Sequence, residues 1–136
     1  MSQENVEIVR RLHAANRSGP PQDTLEVGLS LCHPAVELRS RVTAVEGADY
    51  RGHDGLRRYN ADLADVFQSW VNVPSEIVEV GEDAVVVATT FRGVAHSGVK
   101  IELKSEIVFV IRDARVIRCL SYPTREEALK AAGLSE

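Results

Sequence analysis

Clustered basic residues, paired metal-ligand spacings and long apolar runs are all missing from this chain. With Lys and Arg dispersed and a net charge of −4, there is no basic face to release phosphate counterions, so nucleic acid is excluded as a partner. No apolar run approaches the length of a membrane span, and the opening MSQENVEIVRR has no signal-peptide core. Neither a membrane nor export is therefore expected, and the expected location is cytoplasmic. Cys32 and Cys119 are the only cysteines; they lie far apart without metal-type spacing and read as buried reduced thiols. No two of the four histidines share an element at ligand spacing. No metal and no cofactor is expected. Internal repeats and low-complexity segments are absent as well.

What is present is the composition of an ordinary globular protein, 44% hydrophobic and 26% charged over 136 residues. That length suits one domain, 1–136, with a core that needs no staples. A first helix is expected from about Gln3 to Arg17, capped by Ser2, with Val6, Ile8, Val9, Leu12 and Ala15 as its apolar stripe. Gly19-Pro20-Pro21 breaks the chain. A second helix, about Asp23 to Cys32, ends at His33-Pro34. Val36 to Val42 alternates as a strand, and residues 43–54 read as a polar loop. Leu56, Tyr59, Leu63, Val66, Phe67 and Trp70 recur at 3-4 spacing and predict a third helix. Strands follow at about Val73–Val80, Ala84–Gly93, Val99–Arg112 and Arg115–Tyr122. Thr124 to Glu127 is a capping box for a short last helix, with Gly133 as its stop and Leu134 as the matching contact.

The segment GVKIELKSEIVFVIRDARVIRCLSY carries the clearest pattern. Val99, Ile101, Leu103, Ser105, Ile107, Phe109 and Ile111 share one parity, and Lys100, Glu102, Lys104 and Glu106 share the other. The apolar row is expected to face the helices and the charges to face solvent or an interface. With the opposite register Glu102 and Glu106 would enter the interior, Glu106 becoming a candidate general base. Val85, Val87, Thr89 and Phe91, with Val108 and Val110, read as an apolar patch turned away from the helices. Such a patch predicts a homodimer through the outer sheet face. Helices followed by a mostly antiparallel sheet give an α+β class.

Taken in order, ENVEIVRRLHAANRSG, LCHPAVELRS, YRGHDGLRRYNADL, IVFVIRDARVIR and SYPTREEALKAAGLSE resemble the SnoaL-like family. This is part of the nuclear transport factor 2-like superfamily and is related to polyketide cyclases and ketosteroid isomerases. The resemblance implies a cone-shaped curved, mostly antiparallel sheet wrapped over three helices from the N-terminal half, with a short C-terminal helix. It also implies a pocket between sheet and helices, and often a homodimer. Where ketosteroid isomerases of the family place a tyrosine on the first helix, this chain has Leu12. Where they place a proton-moving aspartate, it has Ser40. Leu38 and Ile107 stand where relatives often carry tryptophan and histidine. A cyclase-type aspartate in the last strand and the acid pair of the epoxide hydrolases are both missing.

The resulting expectation is a small-molecule-binding protein whose pocket is largely apolar. Leu12, Leu38, Ser40, Tyr59, Leu63, Ser105, Ile107 and Phe109 are its candidate ligand-binding residues, and its catalytic residues are unknown. Ser40, Ser105 and Tyr59 would orient a small apolar ligand. An alternative is an isomerase, dehydratase or cyclase acting on a lipophilic metabolite with a non-standard base from the loop, such as Asp49 or His53. For His53 the competing role is a helix-start hydrogen bond; for Tyr59 it is a core aromatic with a bonded hydroxyl. His33 is expected in a turn, His96 in an exposed hairpin turn, His13 on the outer side of its helix, and Arg39 and Arg41 outside. A further alternative is a non-catalytic dimeric interaction module whose cone is filled by side chains.

Overall fold

Alternating apolar and charged positions favour an extended strand, because each parity can meet a different environment across the pleat. The computed structural model, which describes residues 2–18, 21–42 and 49–133, turns the long alternating segment into a strand at Lys100–Arg112. In chain order the described elements are α1 (Ser2–Ser18), α2 (Pro21–Leu31), β1 (Cys32–Arg39), β2 (Asp49–Arg51) and α3 (Gly52–Val66). Then follow β3 (Phe67–Val80), β4 (Ala84–Ala95), β5 (Lys100–Arg112), β6 (Arg115–Tyr122) and α4 (Arg125–Ala131). The Gly19-Pro20 break, the Leu134 contact and residues 43–48 lie outside the described residues, as does the Ser2 side chain.

The strands form a six-stranded open sheet in the order β2-β1-β6-β5-β4-β3. Every neighbouring pair is antiparallel except β1 with β6, which run parallel. The class is α+β, with α1, α2 and α3 on one face of the sheet and α4 on the other. Val6, Ile8 and Val9 of α1 pack with Val85, Val87, Phe109, Ile111 and Val116 on the inner face. Asn5 Nδ2 also donates to the Glu82 carbonyl at 2.8 Å, pinning α1 to the β3–β4 turn.

Several boundaries differ from expectation. Phe67 to Trp70 continue the 3-4 spacing of α3 but belong to β3, where Phe67 pairs with Ala95 and Trp70 with Gly93. The aromatic packing explains the switch: Phe67 stacks edge-on to Phe91 at 5.2 Å, and a Cβ on Gly93 would fall 2.7 Å from the Phe67 ring. Only glycine leaves room there. Strand β1 starts at Cys32, earlier than expected, and its pairing with β6 is interrupted between Cys32 and Glu37, around Pro34, which has no N–H to give. Part of the expected loop, Asp49–Arg51, forms β2 at the sheet edge.

The assignment of the β4 faces is corrected. Val85, Val87 and Phe91 point inward with the helices, not away from them. Val86 and Val108 take the outer face and are covered by Ala128 of α4. Both parities of β4 are apolar because the strand is buried on both sides, so alternation carries no signal there. The supposed exposed patch is thus largely closed by the chain's own last helix. Thr124 caps that helix by accepting from Glu127 N at 3.2 Å, and Arg125 holds Glu106 and Glu76 at 3.1 and 3.0 Å. No helix among the described residues is long and apolar enough to cross a membrane.

Candidate functional site

Because the inner sheet face meets three helices of unequal length, the layers do not close completely. They leave a cavity of about 170 Å³. Leu12 and His13 enter its wall from α1, Leu38 from β1, and Ser40 and Arg41 from the turn just after β1. Tyr59 and Leu63 come from α3, Trp70 and Asn72 from β3, and Thr89 and Phe91 from β4. Leu103, Ser105, Ile107 and Phe109 come from β5, all on the apolar parity. The structure therefore brings the eight side chains Leu12, Leu38, Ser40, Tyr59, Leu63, Ser105, Ile107 and Phe109 to one wall.

The polar groups on that wall are held in place. Ser40 Oγ lies 3.2 Å from the Tyr59 hydroxyl and accepts from Val42 N at 3.1 Å. Burial, the largest influence, pushes the Tyr59 phenol up to about 12, with the Ser40 hydrogen bond opposing it. Tyr50 supports Tyr59 from behind with an edge-on ring at 5.3 Å, while its own hydroxyl donates to Asp62 at 2.6 Å. Burial also pushes the Cys32 thiol up to about 11 and the Cys119 thiol upward. Both therefore stay protonated at neutral pH and are poor nucleophiles. Among the described residues, neither Ser40 nor Ser105 has a carboxylate or imidazole partner to activate it.

His13, Arg41 and Thr89 are among the wall residues that sequence reasoning missed. His13 is buried and borders the cavity, contrary to its expected outer position. Its spacing from Val6 and Val9 was the available signal, since 6, 9 and 13 share a helical face. The Val9 carbonyl accepts from His13 Nδ1 at 2.9 Å, so the neutral ring leaves Nε2 as a bare acceptor. Burial holds the His13 pKa below its usual value, the Val9 hydrogen bond opposing. Arg41 was expected outside, but β1 ends at Arg39 and the alternation stops with it. Arg41 Nη1 instead donates to the Lys104 carbonyl at 2.8 Å and to Ser105 Oγ at 3.1 Å. Thr89 Oγ1 is buried with no hydrogen-bond partner among the described residues.

Other expected candidates lie elsewhere. Asp49 is ion-paired with Arg39 at 3.0 Å, and His53 Nε2 bonds the Cys32 carbonyl at 3.0 Å; neither borders the cavity. Glu106 belongs to the outer face with Arg125. His33 Nδ1 accepts from Ala35 N, and the exposed His96 bonds the Ala64 carbonyl. No cluster of three or more His, Cys, Asp or Glu among the described residues is arranged to hold a metal ion.

No family model matches the sequence, and no curated protein matches it. Solved structures do. A nuclear transport factor 2-like protein of unknown function from Burkholderia pseudomallei superposes with TM-score 0.75 at 20% identity, covering 96% of this chain and 98% of that one. The fold is nuclear transport factor 2-like. The same frame is shared with TerC co-crystallised with polyporic acid, at TM-score 0.74 and 23% identity over 95% of this chain and 98% of that one. A candidate SnoaL-like polyketide cyclase from Jannaschia sp. CCS1 matches at 0.69 and 22%, over 99% and 94%. Within this nuclear transport factor 2-like frame the cavity lies between the inner sheet face and the helices.

Proposed function

We propose that the protein is a SnoaL-like binder of a small, largely apolar molecule, held in the cavity between α1, α3 and the inner sheet face. The observation that carries this reading is the cavity itself, an apolar space with a few fixed polar groups on its wall. At about 170 Å³ it is close to the roughly 150 Å³ apolar cavity known to admit benzene, which sets the ligand at one ring with a short arm. The co-crystallisation of TerC, in a related frame, with polyporic acid supports a small-molecule ligand. Trp70 is the only tryptophan and borders the cavity, so its fluorescence reports occupancy. Titration with a library of one-ring compounds is expected to change it saturably, and Leu38→Trp, which fills the space, to abolish binding in a folded protein. No saturable binder at millimolar concentration sinks the proposal.

His13 favours a second reading, in which the bound molecule is also transformed. A neutral imidazole with Nδ1–H tied to Val9 offers Nε2 as a proton acceptor without first losing a proton. Leu12 and Ser40 supply no such group. The test is exchange of the α-protons of a bound enolisable ketone into D₂O, followed by NMR. Exchange catalysed by the wild type and lost in His13→Gln supports catalysis; equal exchange in both removes His13 as the base.

The proposed assembly is a homodimer through the part of the outer face that α4 leaves open, around Val71, Val73 and Leu120. All three are half-buried in the single chain. Light scattering is expected to give twice the chain mass, falling to one in Leu120→Glu. A single-chain mass at all concentrations overturns it.

A further inference from the structure

The cavity wall is lopsided in charge. The chain carries a net charge of −4, yet among the described residues no aspartate or glutamate borders the cavity, and Arg41 is the one Lys or Arg side chain that does. Its guanidinium is anchored there: Nη1 donates to both the Lys104 carbonyl and Ser105 Oγ. Of its five N–H donors, those on Nε and Nη2 have no carboxylate among the described residues. The ion pairs of the described residues all lie outside the cavity.

Thr89 adds an independent observation. It is 4% exposed, borders the cavity, and leaves its hydroxyl without a partner among the described residues. A buried hydroxyl is normally hydrogen-bonded, so an unpartnered one in a residue that borders the cavity marks a place where a polar group belongs. Thr89 sits directly opposite Ser105 in the β4–β5 register. Side chains directly opposite on one face are neighbours. Arg41, Ser105 and Thr89 therefore form one donor strip on a wall that is mostly apolar.

We infer that the ligand is a small organic acid, its ring among Leu38, Leu63, Ile107 and Phe109 and its carboxylate against Arg41, Ser105 and Thr89. This rests on the reading of the cavity as a ligand site and names the class of ligand it takes. A guanidinium offers parallel N–H donors that match a carboxylate, and the Thr89 hydroxyl supplies a further donor from the sheet. A carboxylate gains charge-assisted bonds to the half-exposed Arg41 that a neutral ligand lacks, and a cationic ligand would be repelled.

The test is equilibrium dialysis with mass-spectrometric readout. A panel of one-ring carboxylates, such as 3-phenylpropionate, is set against the matching primary amides, such as 3-phenylpropionamide. Carboxylates are expected to bind at least tenfold more tightly than their amides. Arg41→Gln is expected to erase that preference, and Thr89→Val, which keeps the shape of the side chain, to weaken carboxylate binding severalfold. A second measurement needs no variant: carboxylate affinity to the wild type falls as salt rises, and amide affinity does not. Amides binding as tightly as acids, or a preference unchanged by Arg41→Gln and by salt, overturns the inference while leaving the cavity a ligand site. Failure of both panels to bind removes the ligand-binding reading itself, and the inference with it.

Discussion

The Ser40 hydroxyl and the Tyr59 hydroxyl meet at 3.2 Å, joining the turn after β1 to α3 across the cavity wall. Ser40 also accepts from Val42 N, so it holds two elements at once. Removing either hydroxyl strands a buried partner, at a cost of about 1–3 kcal/mol. Tyr59→Phe and Ser40→Ala are each expected to lower unfolding free energy by that order. The double variant should lose less than their sum, as a double-mutant cycle in urea reads directly.

The same tyrosine makes the fold sensitive to alkali. Its folded pKa of about 12 lies above the ordinary value of 10.0, so its contribution is full below pH 10 and is lost as pH rises toward 12. Cys32, pushed up to about 11 from 9.0, and Cys119, also raised from 9.0 by burial, add losses that start near pH 9. Unfolding midpoints measured from pH 8 to 12 are expected to fall steadily, and the Cys32→Ala, Cys119→Ala double variant to delay the onset of that fall.

His13 acts at the other end of the scale. Burial keeps its folded pKa below 6.5, so the unfolded chain binds the proton more readily. Its contribution is complete above pH 6.5 and declines as pH falls through the folded pKa. NMR is expected to show His13 titrating at a lower pH than an ordinary histidine. Denaturant melts should show a shallower loss of stability between pH 7 and pH 5 in His13→Leu than in the wild type. Identical acid limbs would refute the assignment.

The β5–β6 turn is strained at a defined place. Asp113 and Ala114 both have positive φ, 52° and 62°, in a two-residue hairpin loop. This conformation suits Asn-Gly, and an alanine in the left-handed region costs about 1–2 kcal/mol. Ala114→Gly is expected to raise the melting temperature, after the entropy cost of glycine, by an amount worth about 0.5–1 kcal/mol.

On the outer face, Ala128 is fully buried against the Val86 and Val108 cluster. Ala128→Asp would bury a charge without a partner and is expected to cost about 3 kcal/mol or more. It should also expose the valines, seen as increased dye binding or self-association. Arg125→Gln breaks the pairs with Glu76 and Glu106, but the guanidinium is one-third exposed, so a loss of about 1 kcal/mol or less is expected.

Much of this arrangement was legible before the structure. The inward row of β5 from Leu103 to Ile111 followed from alternation, and the α4 cap from Thr124 and Glu127. Val99 and Ile101, expected in the same row, are exposed. The β4 faces did not follow, because Val85, Val86 and Val87 are all fully buried and leave no alternation to read. The end of α3 was misplaced since Phe67 and Trp70 suit a helical stripe as well as they suit a strand. His13 was legible in principle from its spacing to Val9, but its neighbour Leu12 drew the inward assignment.

By itself, the sequence determined most of the elements, the apolar wall of β5 and the lack of an acid at Leu12 and Ser40. These are local matters, decided by period and residue type. Only the tertiary structure decided that α4 covers Val86 and Val108, that His13 faces the interior, and that Arg41 reaches Ser105 beside Thr89. Residues so far apart in the chain are brought together by packing of whole elements. Side-chain period records which face of an element is buried, but not what is packed against it.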